Sequence, residues 1–162
     1  MKILFIQTGG TIDKDYPKSV RGYAFEIDKA AVERVLKNVA PNFEFEILPL
    51  LKKDSLDITE TDRALIKATC QHTSYNNIII THGSDTMPET ARAIGNIEGK
   101  AIILVGAYRP ERFSNTDAHF NIGVAVGALN ILENGTFIAM NGTIMSPDNC
   151  RKNPETGRFE AE

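Results

Sequence analysis

The chain is 162 residues long and 42% apolar, enough for one packed domain and too little for two of ordinary size. Its formal charge is −3 and its 18 basic residues are scattered, so it lacks the electrostatic footprint of a nucleic-acid binder. No segment approaches the roughly 20 apolar residues of a membrane span, and the apolar run near the first residue is shorter than that of a secretory leader.

Ile3 to Gln7 is a nearly continuous apolar run, as in a strand buried on both faces. Asp28 is placed to cap a helix running to about Lys37, with Ala31, Val32, Val35 and Leu36 on one face. Phe43, Phe45 and Ile47 alternate with Glu44 and Glu46, which predicts a half-exposed edge strand stopping at Pro49. Thr59 opens a helix that ends near His72, with Asp62 at capping-box spacing. Asn77 to Thr81 is a second buried strand, followed by a helix from about Pro88, and Ala101 to Val105 is a third. A helix from about Asp117 to Leu132 and a strand from Phe137 to Met140 complete the periodic part. Residues 141–162 are polar and rich in turn formers, and read as loop and tail.

Strands alternating with helices in this way predict an α/β fold. We expect a single domain over residues 1–162, with no second domain, built on one doubly wound parallel sheet in the flavodoxin-like order 2-1-3-4-5. Ligands of such sheets bind beyond the carboxyl ends of the strands where the winding reverses, here between the first and third strands. Two unusual loops fall there. In Thr8-Gly9-Gly10-Thr11-Ile12, paired glycines allow a sharp turn that presents a hydroxyl. In Thr81-His82-Gly83-Ser84-Asp85-Thr86, hydroxyls and a carboxylate precede a helix N-terminus. Either loop alone reads equally well as a structural turn or a cap, and His82 alone as a hydrogen-bonded structural histidine. Two such loops meeting at a switch point point to a site.

The glycine loop matches neither GxGxxG nor the phosphate loop, and no Cys or His grouping has metal-ligand spacing. No metal and no cofactor is therefore implied. Cys70 falls in a helix and Cys150 in a polar loop, without a CxxC pair, which suits reduced thiols in the cytoplasm.

Thr8 to Ile12 and Thr81 to Met87 resemble the two signatures of the bacterial-type L-asparaginases, with Ser84 where threonine is usual. The resemblance continues through Val105-Gly106-Ala107-Tyr108-Arg109-Pro110, through Asp117 and Asn121, and to Met140-Asn141-Gly142-Thr143. It implies hydrolysis of a small amide, L-asparagine with L-glutamine as the poorer substrate, in a cytoplasmic homo-oligomer, dimer or tetramer, without nucleic acid or membrane. It implies Thr11 as the nucleophile and Tyr23 as the tyrosine hydrogen-bonded to it, with Tyr16 a competitor in the same loop. Ser84, Asp85 and Lys152 would form a proton relay, where Lys152 follows from aligning Met140 to Thr143 without gaps and Arg151 is its neighbour in register. Ser55 resembles the serine that binds the substrate's α-carboxylate, Asp85 would also hold its ammonium group, and Gly10 and Gly83 would shape the pocket.

This chain departs from the family in length, since members usually run to about twice 162 residues and carry a second, smaller domain that contributes an acidic residue. Leu56 also stands where a polar substrate contact is common. Weaker asparagine binding is expected from Leu56 and from Ser84, which keeps a hydroxyl but lacks the methyl group that would restrict its rotamer. Two other readings stay open: a non-catalytic domain that binds an amino acid or dicarboxylate through Ser55 and Asp85, and an amidase for a peptide-linked or tRNA-linked amide.

Overall fold

Four apolar runs supply the buried parallel core of the sheet, because strands sandwiched between helices must be apolar on both faces, and a half-exposed strand adds to it at one edge. The computed structural model describes residues 1–16 and 25–161. In chain order the elements are β1 (Lys2–Gly9), β2 (Lys14–Asp15), β3 (Glu26–Ile27), α1 (Ala31–Val39), β4 (Glu44–Lys53), α2 (Glu60–His72) and β5 (Asn77–Thr81). They continue with α3 (Met87–Ile94), β6 (Ala101–Val105), α4 (Ala118–Ala128), β7 (Gly135–Met140), β8 (Thr143–Met145), β9 (Arg151–Lys152) and β10 (Phe159–Glu160). The main sheet runs β4-β1-β5-β6-β7-β8. Its first five strands are parallel and in the expected order; β8 is antiparallel to β7.

Side chains alternate across the strands, so each strand feeds two cores. Ile3, Phe5, Ile79, Ile103 and Val105 face α1 and α4, where Val32, Val35, Leu36, Ile122 and Ala125 meet them. Leu4, Ile6, Ile78, Ile80, Ile102 and Leu104 face α2 and α3, against Ile66, Cys70, Met87, Ala91 and Ile94. Each fully buried aliphatic side chain contributes roughly 1.5–3 kcal/mol, and these two layers fix the strand order and the ends at which the loops emerge. No helix among the described residues is long and apolar enough to cross a membrane.

Three expectations are corrected. The edge strand does not stop at Pro49: β4 runs on to Lys53, with Pro49 opposite Gln7. Proline is tolerated there because an edge strand needs hydrogen bonds on one side only. Asp28 does not cap α1. The residue before the helix is Ala30, without a side-chain cap, and the Ala31 N–H donates instead to Asp13 Oδ1 at 2.6 Å, a cap supplied from 18 residues away. By contrast the Thr59/Asp62 capping box of α2 is present, with the Asp62 N–H donating to Thr59 Oγ1 and the Thr59 N–H to Asp62 Oδ2.

The third correction concerns residues 141–162, expected as loop and polar tail. They contain β8, a 3-10 turn at Pro147–Asn149, and the β9–β10 hairpin, in which Phe159 pairs with Lys152. Met145, Cys150 and Phe159 are too far apart to form a period, yet each is buried in the core over α3. Arg92 Nη1 donates to the Pro147 carbonyl at 2.8 Å, and Asn153 Oδ1 accepts the N–H groups of Glu155 and Thr156 to close the hairpin. Replacing Phe159 by alanine is expected to cost about 3 kcal/mol in urea denaturation, because it empties a packed site. A cost within about 0.5 kcal/mol, the scale of a surface change, would restore the tail reading.

Candidate active site

Gly9 ends β1 at a shift of register with β4, and Gly10 follows with φ 82°, a conformation open mainly to glycine. A Cβ on Gly10 would lie 2.3 Å from the Gly83 nitrogen and 2.4 Å from its Cα. A Cβ on Gly83 would in turn lie 2.6 Å from Ser55 Cβ. The segments after β1 and β5 thus meet backbone to backbone, and the Gly83 backbone in turn lies against the Ser55 side chain after β4, with no room for a side chain at either glycine. Thr8 Oγ1 donates to the Thr81 carbonyl at 2.7 Å and reinforces the contact. Thr11 and Ser84 each sit one residue beyond the glycine contact. The Gly10 N–H is committed to the Lys53 carbonyl at 2.9 Å, so Gly10 serves by close approach rather than as a donor.

Thr11 opens a 3-10 turn, Thr11–Asp13, and is half-buried. Ser55 starts a similar turn after β4 and is buried; Asp85 N–H donates to its Oγ at 3.3 Å, and Thr86 Oγ1 donates to its carbonyl at 2.7 Å. Ser55 Oγ lies 3.5 Å from Asp85 Oδ2. Lys152, on β9, reaches across from the far end of the chain. Its Nζ donates to Ser84 Oγ at 2.9 Å and to Asp85 Oδ1 at 2.6 Å. The neighbouring Arg151 points away, with its guanidinium 3.8 Å from Glu160. Ser55, Ser84, Asp85 and Lys152 are therefore one hydrogen-bonded group. Tyr23 lies outside the described residues; its competitor Tyr16 is exposed and stacks on Phe25.

The loop after β6 forms the next wall. Asp117 accepts the N–H groups of Tyr108 and Arg109 and the Asn121 amide, while Asn121 Nδ2 also donates to the Gly106 carbonyl. This holds the Tyr108 ring with its centroid 5.9 Å from Lys152 Nζ, within cation–π range, and its hydroxyl on Asn141 Oδ1 at 3.0 Å. Asn141 Oδ1 also accepts the Phe159 N–H, so Tyr108 is linked to the hairpin that carries Lys152. Sequence reasoning gave Tyr108 no role, and its contacts span 33 and more residues, beyond any local signal. It also passed over Asp13, which lies just past the glycine loop and whose only sequence signal is a carboxylate directly after a buried run.

A doubly wound α/β domain that gathers hydroxyls, a lysine and a carboxylate at its switch point defines the class of this protein. The chain belongs to the asparaginase family: residues 2–161 match the family described as Asparaginase, N-terminal. A glutaminase-asparaginase of Acinetobacter glutaminasificans is 28% identical over 162 residues, covering 93% of this chain and 49% of the relative. The structure of the thermostable L-asparaginase from Thermococcus kodakarensis superposes with a TM-score of 0.85 at 26% identity, covering 99% of this chain and 51% of that one. A glutamyl-tRNA(Gln) amidotransferase component of Methanococcus vannielii is 44% identical over 69 residues, 41% of this chain and 16% of its own. The chain thus spans about half the length of the full-length asparaginase relatives it matches.

Two buried titratable groups flank the loops. Burial holds His82 down to about 4, so it is neutral; its Nδ1 donates to the Gly83 carbonyl at 2.7 Å, and its place is structural, as expected. Burial pushes the Asp13 carboxyl up to about 6, against the stabilising hydrogen bonds from Ala31 and Thr81 and the charge of Arg34. Between about pH 4 and pH 6 the unfolded chain loses the Asp13 proton while the folded protein keeps it, so this group's contribution to stability falls as pH rises through that window. Relative to Asp13→Asn, the wild type is expected to lose about 2 kcal/mol between pH 4 and pH 7, and almost nothing further above pH 7. Urea titrations of both proteins at several pH values check it; parallel curves for the two would refute the assignment.

Proposed function

We propose that the chain carries the catalytic machinery of an amidohydrolase that converts L-asparagine to aspartate and ammonia, with L-glutamine the poorer substrate. Thr11 is the nucleophile. Its Oγ adds to the amide carbon, and the proton it loses passes through Ser84 and Lys152 to the departing nitrogen, which leaves as ammonia. The acyl group remains on Thr11 as an ester until water adds and releases aspartate, the hydroxyl recovering its proton by the same route. A threonine hydroxyl is nearly un-ionised at neutral pH, so such a relay is required for attack. The observation that carries this reading is the Lys152 ammonium within hydrogen-bond reach of both Ser84 and Asp85, side chains 67 and 68 residues away.

Asp85 and Ser55 are assigned to the substrate's ammonium and carboxylate groups. A substrate ammonium arriving at Asp85 competes with Lys152 for that carboxylate. Amide groups of the glycine-bearing loops are assigned to the oxyanion, a role commonly worth a few kcal/mol. Tyr23 keeps its proposed part beside Thr11. We assign a homo-oligomer, in keeping with the exposed Phe120 and Ile131 on and just after α4, in a stretch without an acidic or basic residue between Asp117 and Glu133 other than His119. A tRNA-linked amide is the second reading, favoured by the 44% identity to the amidotransferase component.

Ammonia release from L-asparagine by the wild type, Thr11→Ala and Lys152→Met is the deciding experiment. Both variants are expected to lose activity by about three orders of magnitude or more while remaining folded. Release that persists in Thr11→Ala would remove it as nucleophile. No release by the wild type at millimolar asparagine or glutamine would turn the reading to another amide, or, if aspartate binds, to the binding domain.

A further inference from the structure

Asp13 is wholly buried, and no proposed step uses it. Its two oxygens accept from two donors on two different elements. Oδ2 accepts the Thr81 hydroxyl at 2.9 Å and Oδ1 accepts the Ala31 N–H at 2.6 Å, while the Gln7 amide donates to the Asp28 carbonyl at 2.8 Å. Its backbone is held as well: the Asp13 N–H donates to the Gly10 carbonyl at 3.2 Å and closes the turn that begins with Thr11, and its carbonyl accepts the Asp28 N–H at 3.1 Å. We propose that Asp13 is a positioning residue for the reaction, locking the Thr11 turn to the end of β5 and so to the Ser84–Asp85 loop. The proposal rests on the reading of Thr11 as nucleophile.

The chemistry of the cage explains why the residue is an acid. A carboxylate is acceptor-only, with an oxygen for each of the two donors, whereas an asparagine presents one acceptor and an NH2 group that must find acceptors of its own. The Ala31 N–H cannot reverse its direction, and Thr81 Oγ1 can accept only by giving up its present bond. An asparagine here therefore leaves at least one junction weaker, either to α1 or to β5. A buried polar group without its partner is costly enough to move the backbone that bears it. Thr81 is the next link. Its hydroxyl serves Asp13, its carbonyl accepts Thr8 Oγ1, and His82, Gly83 and Ser84 follow it directly. The Gly10–Gly83 contact sets how near the two loops approach, and the Asp13–Thr81 bond sets their register. Asp13 itself presents no oxygen to a substrate, which is why it acts through Thr81 and the Thr11 turn.

The test uses the full chain with Asp13→Asn, Thr81→Val and Thr81→Ser, and two readouts: kcat and KM for ammonia release from L-asparagine, and amide hydrogen exchange. We expect Asp13→Asn to lower kcat about 10- to 100-fold with KM within about threefold, since misplacement by an ångström costs on that scale. Thr81→Val is expected to lower kcat about tenfold and Thr81→Ser to restore it. Amides of residues 9–12 and 81–85 are expected to exchange about tenfold faster in Asp13→Asn and Thr81→Val, with those of β5 and β6 ahead of the loops unchanged. Wild-type kcat and wild-type exchange in both variants overturn the proposal, as does a rise in KM alone. If Asp13→Asn does not fold, the Thr81→Val and Thr81→Ser pair decides. If the wild type releases no ammonia, the amidohydrolase reading fails, and exchange alone decides whether Asp13 locks the two loops: faster exchange supports it and unchanged exchange overturns it.

Discussion

Two glycines touching across the switch point set the geometry on which everything else in the site depends. Any side chain at Gly10 would place carbon 2.3 Å from the Gly83 backbone, far inside van der Waals contact, and Gly83 is pressed in the same way onto Ser55. Because the first and third loops meet main chain to main chain, Thr11 and Ser84 each follow directly on a glycine of that contact. The parallel sheet makes this meeting possible: β1 and β5 are adjacent, β5 ends at Thr81 opposite Gln7, and β1 runs two residues further to Gly9. A packed aliphatic core on each face then leaves the strands little freedom to slide.

Around that contact the protein uses buried polar groups as ties rather than as reagents. Asp13, Thr8, Thr81 and His82 are all nearly or wholly inaccessible: Asp13 joins its turn to α1 and to β5, Thr8 joins β1 to β5, and His82 bonds within its own loop to the Gly83 carbonyl. The desolvation that pushes the Asp13 carboxyl up to about 6 measures the cost of placing an acid there. Such a cost is sustained where an acceptor with several lone pairs is needed and no neutral side chain supplies it. Asp117 does the same work in a less buried setting, fixing the loop after β6 through the Tyr108 and Arg109 amides.

Lys152 shows how a distant segment is brought to the site. The β9–β10 hairpin has little strand propensity of its own, and it is held by three separated apolar residues sunk into the core over α3. Phe159 anchors the strand opposite Lys152, and Asn141 ties that strand to Tyr108, whose ring lies close to the lysine ammonium. The lysine is thereby held against Ser84 and Asp85 on one side and an aromatic face on the other.

The sequence by itself determined the fold class and strand order, because buried parallel strands must be apolar throughout and amphipathic helices must show a 3.6-residue period, both of which are local signals. It also determined the two glycine-bearing loops, whose residue types have no other economical explanation once they fall at a switch point. Tertiary structure alone decided the cap of α1 by Asp13, the passage of β4 through Pro49, the docking of residues 141–162, and the company of Lys152. Each of these depends on contacts between residues far apart in the chain, where isolated apolar or acidic residues find partners that periodicity and local propensity do not encode.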